Sequence, residues 1–428
     1  MKYIIATLGC KVNQYETQGM ETLLRSRGHE PAAIGEIADA VLVNTCAVTA
    51  ESGRKSRQTI RRLRDEHPGA VLAVCGCYSQ LEPEEAAELG ARVVFGSAER
   101  EKFVGAVEEA VASGQGCTEL DRPFERRHFE QLPAGAVSGR TRAMLKIQDG
   151  CVNFCSYCII PYTRGRLRSL PVEAAAAEAE KLRDAGYREL VLTGIEIASY
   201  GLDLPGRPGL TELVEAVAAV SGEMRLRLGS LEPTVVTEDF CRRLAETGKL
   251  CRHFHLSLQS GCDRTLKAMN RKYDTAFFFQ TTELLRRYFP GCALTADLIT
   301  GFPGETEDDQ RETLAFIERC AFSDMHIFPY SRRPGTPADK MDGQCERAVK
   351  ARRAHEAQAV AEAMHRRFLS GSVGLTLPVL FETAEGEGFV GHSDTYLPVW
   401  AGGEALRGFV RDVKIRAVEG DRLVGDVL

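Results

Sequence analysis

Residues 151–168 read CVNFCSYCIIPYTRGRLR, and this stretch decides how the chain is read. Cys151, Cys155 and Cys158 form a C-x3-C-x2-C array, with Tyr157 directly before the last. Three soft thiolates this close can share one polynuclear centre. A structural zinc site wants four ligands from a closed set, and no fourth Cys or His follows nearby. An electron-transfer [4Fe–4S] cluster takes four cysteines; three leave one iron free to bind something else. A zinc knuckle with a distant ligand, or three core cysteines, are the plain alternatives. Cysteines seldom bunch this way by chance.

The surrounding chain is 428 residues long, enough for about three domains. It is 44% apolar and 27% charged, ordinary for a globular protein. The opening MKYIIATLGCK is too short an apolar run for a signal peptide, and no run of eighteen apolar residues suggests a membrane span. Fourteen cysteines without a secretory signal point to metal and a reducing, cytoplasmic setting. Net charge is −6, so any nucleic-acid contact must come from local basic patches.

Upstream, apolar runs at 3–8, 40–45, 70–75 and 92–96 alternate with helical stretches, which predicts a parallel α/β sheet over 1–113. Cys10, Cys46 and Cys77 fall just past the first three strands. Ligands collect beyond the carboxyl ends of such strands, so these three converge as a second cysteine site. Cys75, two residues before Cys77, is a competing ligand or a small buried residue. Residues 54–64 carry six basic residues and no acid. Arg54, Lys55, Arg57 and Arg61 there suit either a solvated helix face or RNA phosphates. Residues 114–140, with Arg122, Arg126, Arg127 and His128, read as a linker.

Downstream, strands at 143–148, 189–194, 225–230, 253–258, 293–299 and 325–330 alternate with helices, predicting a partial (β/α)6 barrel over 141–370. The array follows its first strand. Polar or Gly-rich words, TGIEIASYG, GSLEP, SLQSGCDRTLKAMNRKY and ITGFPGETEDD, end four others. The remaining cysteines and the nine histidines show no ligand set. Beyond a long helix (344–370), short β runs separated by Gly predict a small closed barrel over 371–428. It holds five basic residues against nine acidic ones. Local RNA contact there would use Arg411, Lys414 and Arg416, with Tyr396 or Trp400 stacking; a purely structural barrel is the alternative. The fold class is thus α/β with a small terminal β-barrel.

The cysteine array resembles that of the radical S-adenosylmethionine (SAM) superfamily. IIPYTRGRLRS, TLGCKVNQYET, NTCAVT and CGCYSQ resemble its methylthiotransferases, and residues 371–428 resemble an OB-like TRAM domain. The resemblance implies two [4Fe–4S] clusters, one on Cys151, Cys155 and Cys158 and an auxiliary one on Cys10, Cys46 and Cys77. It places Cys77, in the GC pair, ahead of Cys75. It implies two SAM molecules per turnover. One methylates a sulfide at the auxiliary cluster; the other is cleaved to a 5′-deoxyadenosyl radical that abstracts hydrogen from the substrate. It implies that Tyr157, Gly194, Glu196, Glu232 and Gln259 line the SAM or substrate pocket. The expected substrate is adenosine 37 in a tRNA anticodon loop, with an electron donor such as flavodoxin or ferredoxin. TLGCKVNQYET resembles the branch acting on threonylcarbamoyladenosine. A carboxylate on that base calls for an arginine, from Arg164, Arg166, Arg332 or Arg333; Arg164, Arg166 and Arg168 are also expected to touch tRNA. Isopentenyladenosine 37, a ribosomal-protein S12 aspartate, and an iron–sulfur RNA-binding protein without turnover are the alternatives.

Overall fold

The structure, a computed structural model, describes residues 1–133 and 141–428; residues 134–140 of the expected linker lie outside the described residues. The chain divides into two compact units. The first takes the described part of Met1–Val137 together with Lys146–Leu170 and Arg332–Asp339. The second takes the rest, through Leu428. The cysteine loop, within the stretch 141–370, packs with the amino-terminal sheet. A buried set of charges described below holds it there.

In chain order, the first unit runs β1 (Lys2–Thr7), α1 (Lys11–Ser26), β2 (Glu30–Pro31), β3 (Ala40–Thr45), α2 (Ala50–Glu66), β4 (Val71–Gly76), α3 (Cys77–Leu81), α4 (Pro83–Glu88), β5 (Val93–Phe95), α5 (Arg100–Ser113) and β6 (Cys117–Glu119). Its six strands are parallel, in the order β2-β1-β3-β4-β5-β6. β3 and β4 are buried at every residue, as strands covered on both faces must be. Alternate residues feed two cores. Leu42 and Ala73 pack with Met20, Leu24, Phe103 and Val107 of α1 and α5. Val43 and Val74 pack with Ile60, Leu63, Tyr78 and Leu89 on the other face. Each such Val or Leu contributes roughly 1.5–3 kcal/mol. The strand order reverses direction between β1 and β3, the switch point where open α/β sheets bind ligands.

β7 (Arg142–Asp149) starts in the second unit and ends in the first, where it leads into the cysteine loop, α6 (Ile160–Arg164) and β8 (Arg168–Ser169). The second unit continues with α7 (Val172–Asp184), β9 (Glu189–Gly194), α8 (Leu210–Val220), β10 (Arg225–Leu228), α9 (Glu238–Glu246), β11 (His253–Gln259), α10 (Asp263–Ala268), α11 (Thr275–Tyr288), β12 (Ala293–Thr300), α12 (Glu307–Cys320) and β13 (Asp324–Pro329). The start of β7, then β9 and β10, share one sheet; β11, β12 and β13 form another, all parallel. A bridge between Leu231 and Leu256 joins them, so six strands make the partial barrel. Helix α13 (Arg347–Gly371) leads to β14 (Thr376–Glu385), β15 (Gly388–Ser393), β16 (Pro398–Gly402), β17 (Val410–Glu419) and β18 (Arg422–Val427), which close into a five-stranded barrel. That barrel caps the amino-terminal ends of the larger one. Arg225 donates to the carbonyls of Pro378 and His392, Arg227 to those of Ser393 and Asp394, and Arg252 pairs with Asp394. No helix among the described residues is long and apolar enough to cross a membrane.

Candidate metal centres and their surroundings

β1, β3 and β4 each end in a cysteine word. Cys46 and Cys77 are buried, and the three thiols of Cys10, Cys46 and Cys77 lie within electrostatic reach of one another. Gly9 must be glycine: its φ is +101°, and a Cβ would meet Cys46 Cβ at 2.8 Å. Asn13, on the first turn of α1, pins two of the loops. Its amide donates to the carbonyls of Leu8 (2.8 Å) and Thr45 (2.9 Å). Cys75 belongs elsewhere. It packs in the core beneath α1 and α5, where burial pushes its thiol up to about 12. Cys77 instead receives Arg164 Nε at 3.4 Å.

Arg164 links the two cysteine words. It ends α6, six residues after Cys158, and is fully buried. Its guanidinium also donates to Asn13 Oδ1 (2.8 Å) and to both carboxylate oxygens of Glu16. Glu16 further meets Arg100 Nη2 (3.0 Å) and Lys146 Nζ (3.4 Å); Asp149 meets Lys146 (3.2 Å), Arg164 (3.4 Å) and Arg168 (3.5 Å). Burial pushes the Glu16 carboxyl up, but Arg164, Arg100 and Lys146 outweigh it and hold the group down to about 2. Four buried cations against two buried carboxylates leave a cationic excess beside the thiols. An unpaired buried charge is costly, and an anionic group held by the thiols would answer it. The donor set and its surroundings thus fit an anionic iron–sulfur group.

The Cys151–Cys158 loop has no regular structure. Gly150, at φ +77°, lets it turn back: a Cβ there would meet the Arg166 carbonyl at 1.9 Å. Cys151 N donates to Gly165 O (3.1 Å), Cys158 N to Cys155 O (2.9 Å), and Ala338 N to Ser156 O (2.8 Å). Cys155 is buried; Cys151, Tyr157 and Cys158 are half-buried. Three thiols within eight residues, on a loop fixed at both ends, fit a cluster with one open iron.

In the second unit the expected pocket residues stand at strand ends. Gly194 ends β9. Glu196 caps the next turn, accepting from Ala198 N (3.0 Å) and Ser199 Oγ. Glu232, just past β10, pairs with Arg271 Nη2 at 2.5 Å. Burial raises both carboxyls, and Glu196 raises Glu232 further, so the two lie near each other. Gln259 ends β11 with φ +68°, beside a register shift. Arg271 also donates to Ser257 O (3.1 Å). It sits inside SLQSGCDRTLKAMNRKY and was not singled out there, because only the fold shows which carboxylate it meets. The histidines also do more than the sequence indicated. His255, Asp297 and His326, on β11, β12 and β13, place their ligand atoms within 4.8 Å of one another.

The expected RNA contacts divide. Arg164 and Arg168 are buried and committed to protein partners, which removes both from tRNA contact. Arg166 is exposed and donates to Phe124 O (3.2 Å). On α2, Arg54 pairs with Glu51, one turn before the acid-free run, and Arg57 lies 3.6 Å from Glu85; Lys55 and Arg61 are exposed. In the small barrel, Lys414 reaches Gly374 O (2.5 Å), Arg416 pairs with Asp426 (2.5 Å), and Arg411 covers Phe409. The Tyr396 ring, partly exposed, lies against Arg142, Arg227, His253 and His392.

The sequence profile of the radical SAM superfamily matches residues 145–317, and that of the uncharacterized protein family UPF0004 matches residues 2–96. A threonylcarbamoyladenosine tRNA methylthiotransferase MtaB of Bacillus subtilis is 39% identical over 96% of this chain and 92% of the relative. One from Thermotoga maritima is 36% identical over 92% and 89%. A tRNA-2-methylthio-N6-dimethylallyladenosine synthase of Erythrobacter litoralis is 35% identical over 100% and 97%. Among solved structures, the radical SAM methyltransferase TsrM of Kitasatospora setae, with cobalamin and a [4Fe–4S] cluster bound, superposes with a TM-score of 0.58. It is 17% identical over 78% of this chain and 73% of that one, a likeness of fold.

Proposed function

The chain belongs to the radical SAM methylthiotransferase family, and from that premise we propose that it converts N6-threonylcarbamoyladenosine at position 37 of tRNA to its 2-methylthio derivative. It is a transferase that works with [4Fe–4S] and SAM. The observation that carries the reading is the pair of three-cysteine sites in one compact unit, joined by Arg164. A radical enzyme that only cleaves SAM has no use for the second.

Cys151, Cys155 and Cys158 would hold the cluster that binds SAM, and Cys10, Cys46 and Cys77 the auxiliary cluster. Bound together, these groups supply a carbon radical and a methylated sulfur, which a C–H bond without useful acidity requires. The protein's own residues position and shield. Asn13 fixes the loops of Cys10 and Cys46. Arg164, held by Glu16, donates to the Cys77 sulfur and covers it from beneath. Glu196, Glu232 and Arg271 offer acceptors and a donor for the hydroxyl and amino groups of SAM. A base in an anticodon loop leaves its stack at modest cost, so lone adenosines there are accessible. An electron carrier such as flavodoxin or ferredoxin would supply the reductant.

The threonylcarbamoyl branch rests on TLGCKVNQYET and on relatives so named at 39% and 36% identity. The dimethylallyl relative at 35% supports the prenyl substrate as the second reading. Purified, reconstituted enzyme should methylthiolate tRNA bearing threonylcarbamoyladenosine and leave isopentenyl tRNA nearly untouched. A site built for a carboxylate rejects the analogue without one by orders of magnitude. Mass spectrometry of the digested nucleosides decides it; turnover of the prenyl tRNA as fast or faster would assign the other branch.

A further inference from the structure

Arg333 lies half-buried in the first unit. Among the described residues it has no ion-pair partner, and its buried Nε has no hydrogen-bond partner. The other candidates for the substrate carboxylate are spent or displaced: Arg164 on Glu16, Arg332 on Asp339 at 2.6 Å, and Arg166 on the Phe124 carbonyl. A half-buried guanidinium is costly without an acid; burial draws the Arg333 group below its ordinary value, eased by Glu82 and Cys46 and worsened by Arg57.

Its place compounds the cost. A Cβ built on Gly53 would lie 3.8 Å from Arg333 Nη1 and 3.8 Å from Arg57 Nη1. Two like charges thus approach one point. That point is on the first turn of α2, which Thr49 caps, so the positive end of the helix adds to them. Arg57 forms an ion pair with Glu85 at 3.6 Å, through Nε, while its Nη1 faces Gly53. Glycine at 53 keeps the helix backbone open. Cys46 lies at the amino-terminal approach to the same helix.

We propose that Arg57, Arg333 and the first turn of α2 form an oxyanion site beside the auxiliary cysteines, which takes an anionic group of the RNA substrate. This rests on the reading of the chain as a tRNA methylthiotransferase. The chemistry is shared by two sources, the carboxylate of the threonylcarbamoyl group and a phosphate of the anticodon loop. A guanidinium pair suits either, because its planar donors match two oxygens at once.

The test compares wild-type holoenzyme with Arg333→Gln, Arg333→Lys and Arg57→Gln, each checked for iron content and melting temperature. Affinity is measured for one tRNA with and without threonylcarbamoyladenosine. Arg333→Gln should weaken binding by roughly 10- to 100-fold, and Lys should restore part of it. A loss confined to the modified tRNA assigns the carboxylate. An equal loss on both, with a salt slope lower by about one, assigns a phosphate. Unchanged affinity for both overturns the site. In a second arm independent of RNA, inorganic phosphate should slow phenylglyoxal labelling of Arg57 and Arg333, read by peptide mass spectrometry; labelling indifferent to phosphate also overturns it. Product formation by the wild type tests the enzyme's function separately, so the two failures are distinct.

Discussion

Glu16 is surrounded by three cations and no solvent. Replacing it with Gln strands those charges, which costs about 3–5 kcal/mol; urea denaturation of the Glu16→Gln variant should show it. The same carboxyl makes the unit acid-sensitive. Its folded value is about 2 against an ordinary 4.5, so its contribution is complete above 4.5 and disappears as pH falls toward 2. Wild type should lose stability over that window, and the variant should show a flatter profile there. Arg164→Gln should leave the radical cluster's cysteines in place yet lower the midpoint potential of the auxiliary cluster, because a cation beside Cys77 favours the more negative reduced state. Redox titration followed by electron paramagnetic resonance checks this. Asn13 and Glu16 were visible in TLGCKVNQYET but had no assigned work. Arg164 was read as a nucleic-acid contact. Its partners lie 148 and 151 residues away, and no local pattern announces a pairing at that distance.

At the scale of elements, strand ends were the legible feature. Apolar runs mark all four strands of the first sheet that carry its core, and the rule that ligands gather past their carboxyl ends brings Cys10, Cys46 and Cys77 together from the sequence alone. Two-residue β2 and three-residue β6 were not legible, since pairing partners and not composition define such edges. The cysteine words should be separable. Changing Cys151, Cys155 and Cys158 to Ala should remove about four irons and abolish SAM cleavage. Changing Cys10, Cys46 and Cys77 should remove about four others and spare it. Iron assay and 5′-deoxyadenosine yield distinguish the two. On α2, reversing exposed Lys55 and Arg61 to Glu should lower the salt slope of tRNA binding by about one each. Reversing Arg54 should matter less, because Glu51 already neutralises it.

Across the whole molecule, the small barrel is tied to the larger one through charge. Glu189 at the start of β9 meets Arg225 at 2.6 Å and Arg227 at 2.7 Å, and both arginines then donate to carbonyls of the small barrel. Burial raises the Glu189 carboxyl, yet the arginines hold it down to about 2. Deleting 376–428 would strip those arginines of more than half their hydrogen bonds, so the truncated chain should be proteolysed faster and melt lower than wild type, whatever its RNA affinity. The sequence showed five strands and an acidic balance, which fits a support as well as a clamp. Which role dominates depended on side chains of another domain.

The first unit is stitched from three separate lengths of chain, the last being Arg332–Asp339. A ribosome makes on the order of 5–20 residues per second, so Cys77 emerges tens of seconds before the final piece exists. The buried charges beside the early thiols, Arg100, Lys146, Arg164 and Arg168, are made well before that piece, and Arg333 is the one that arrives with it. The first unit therefore lacks one arginine beside its amino-terminal cysteines, Arg333, until its last length of chain folds back onto it.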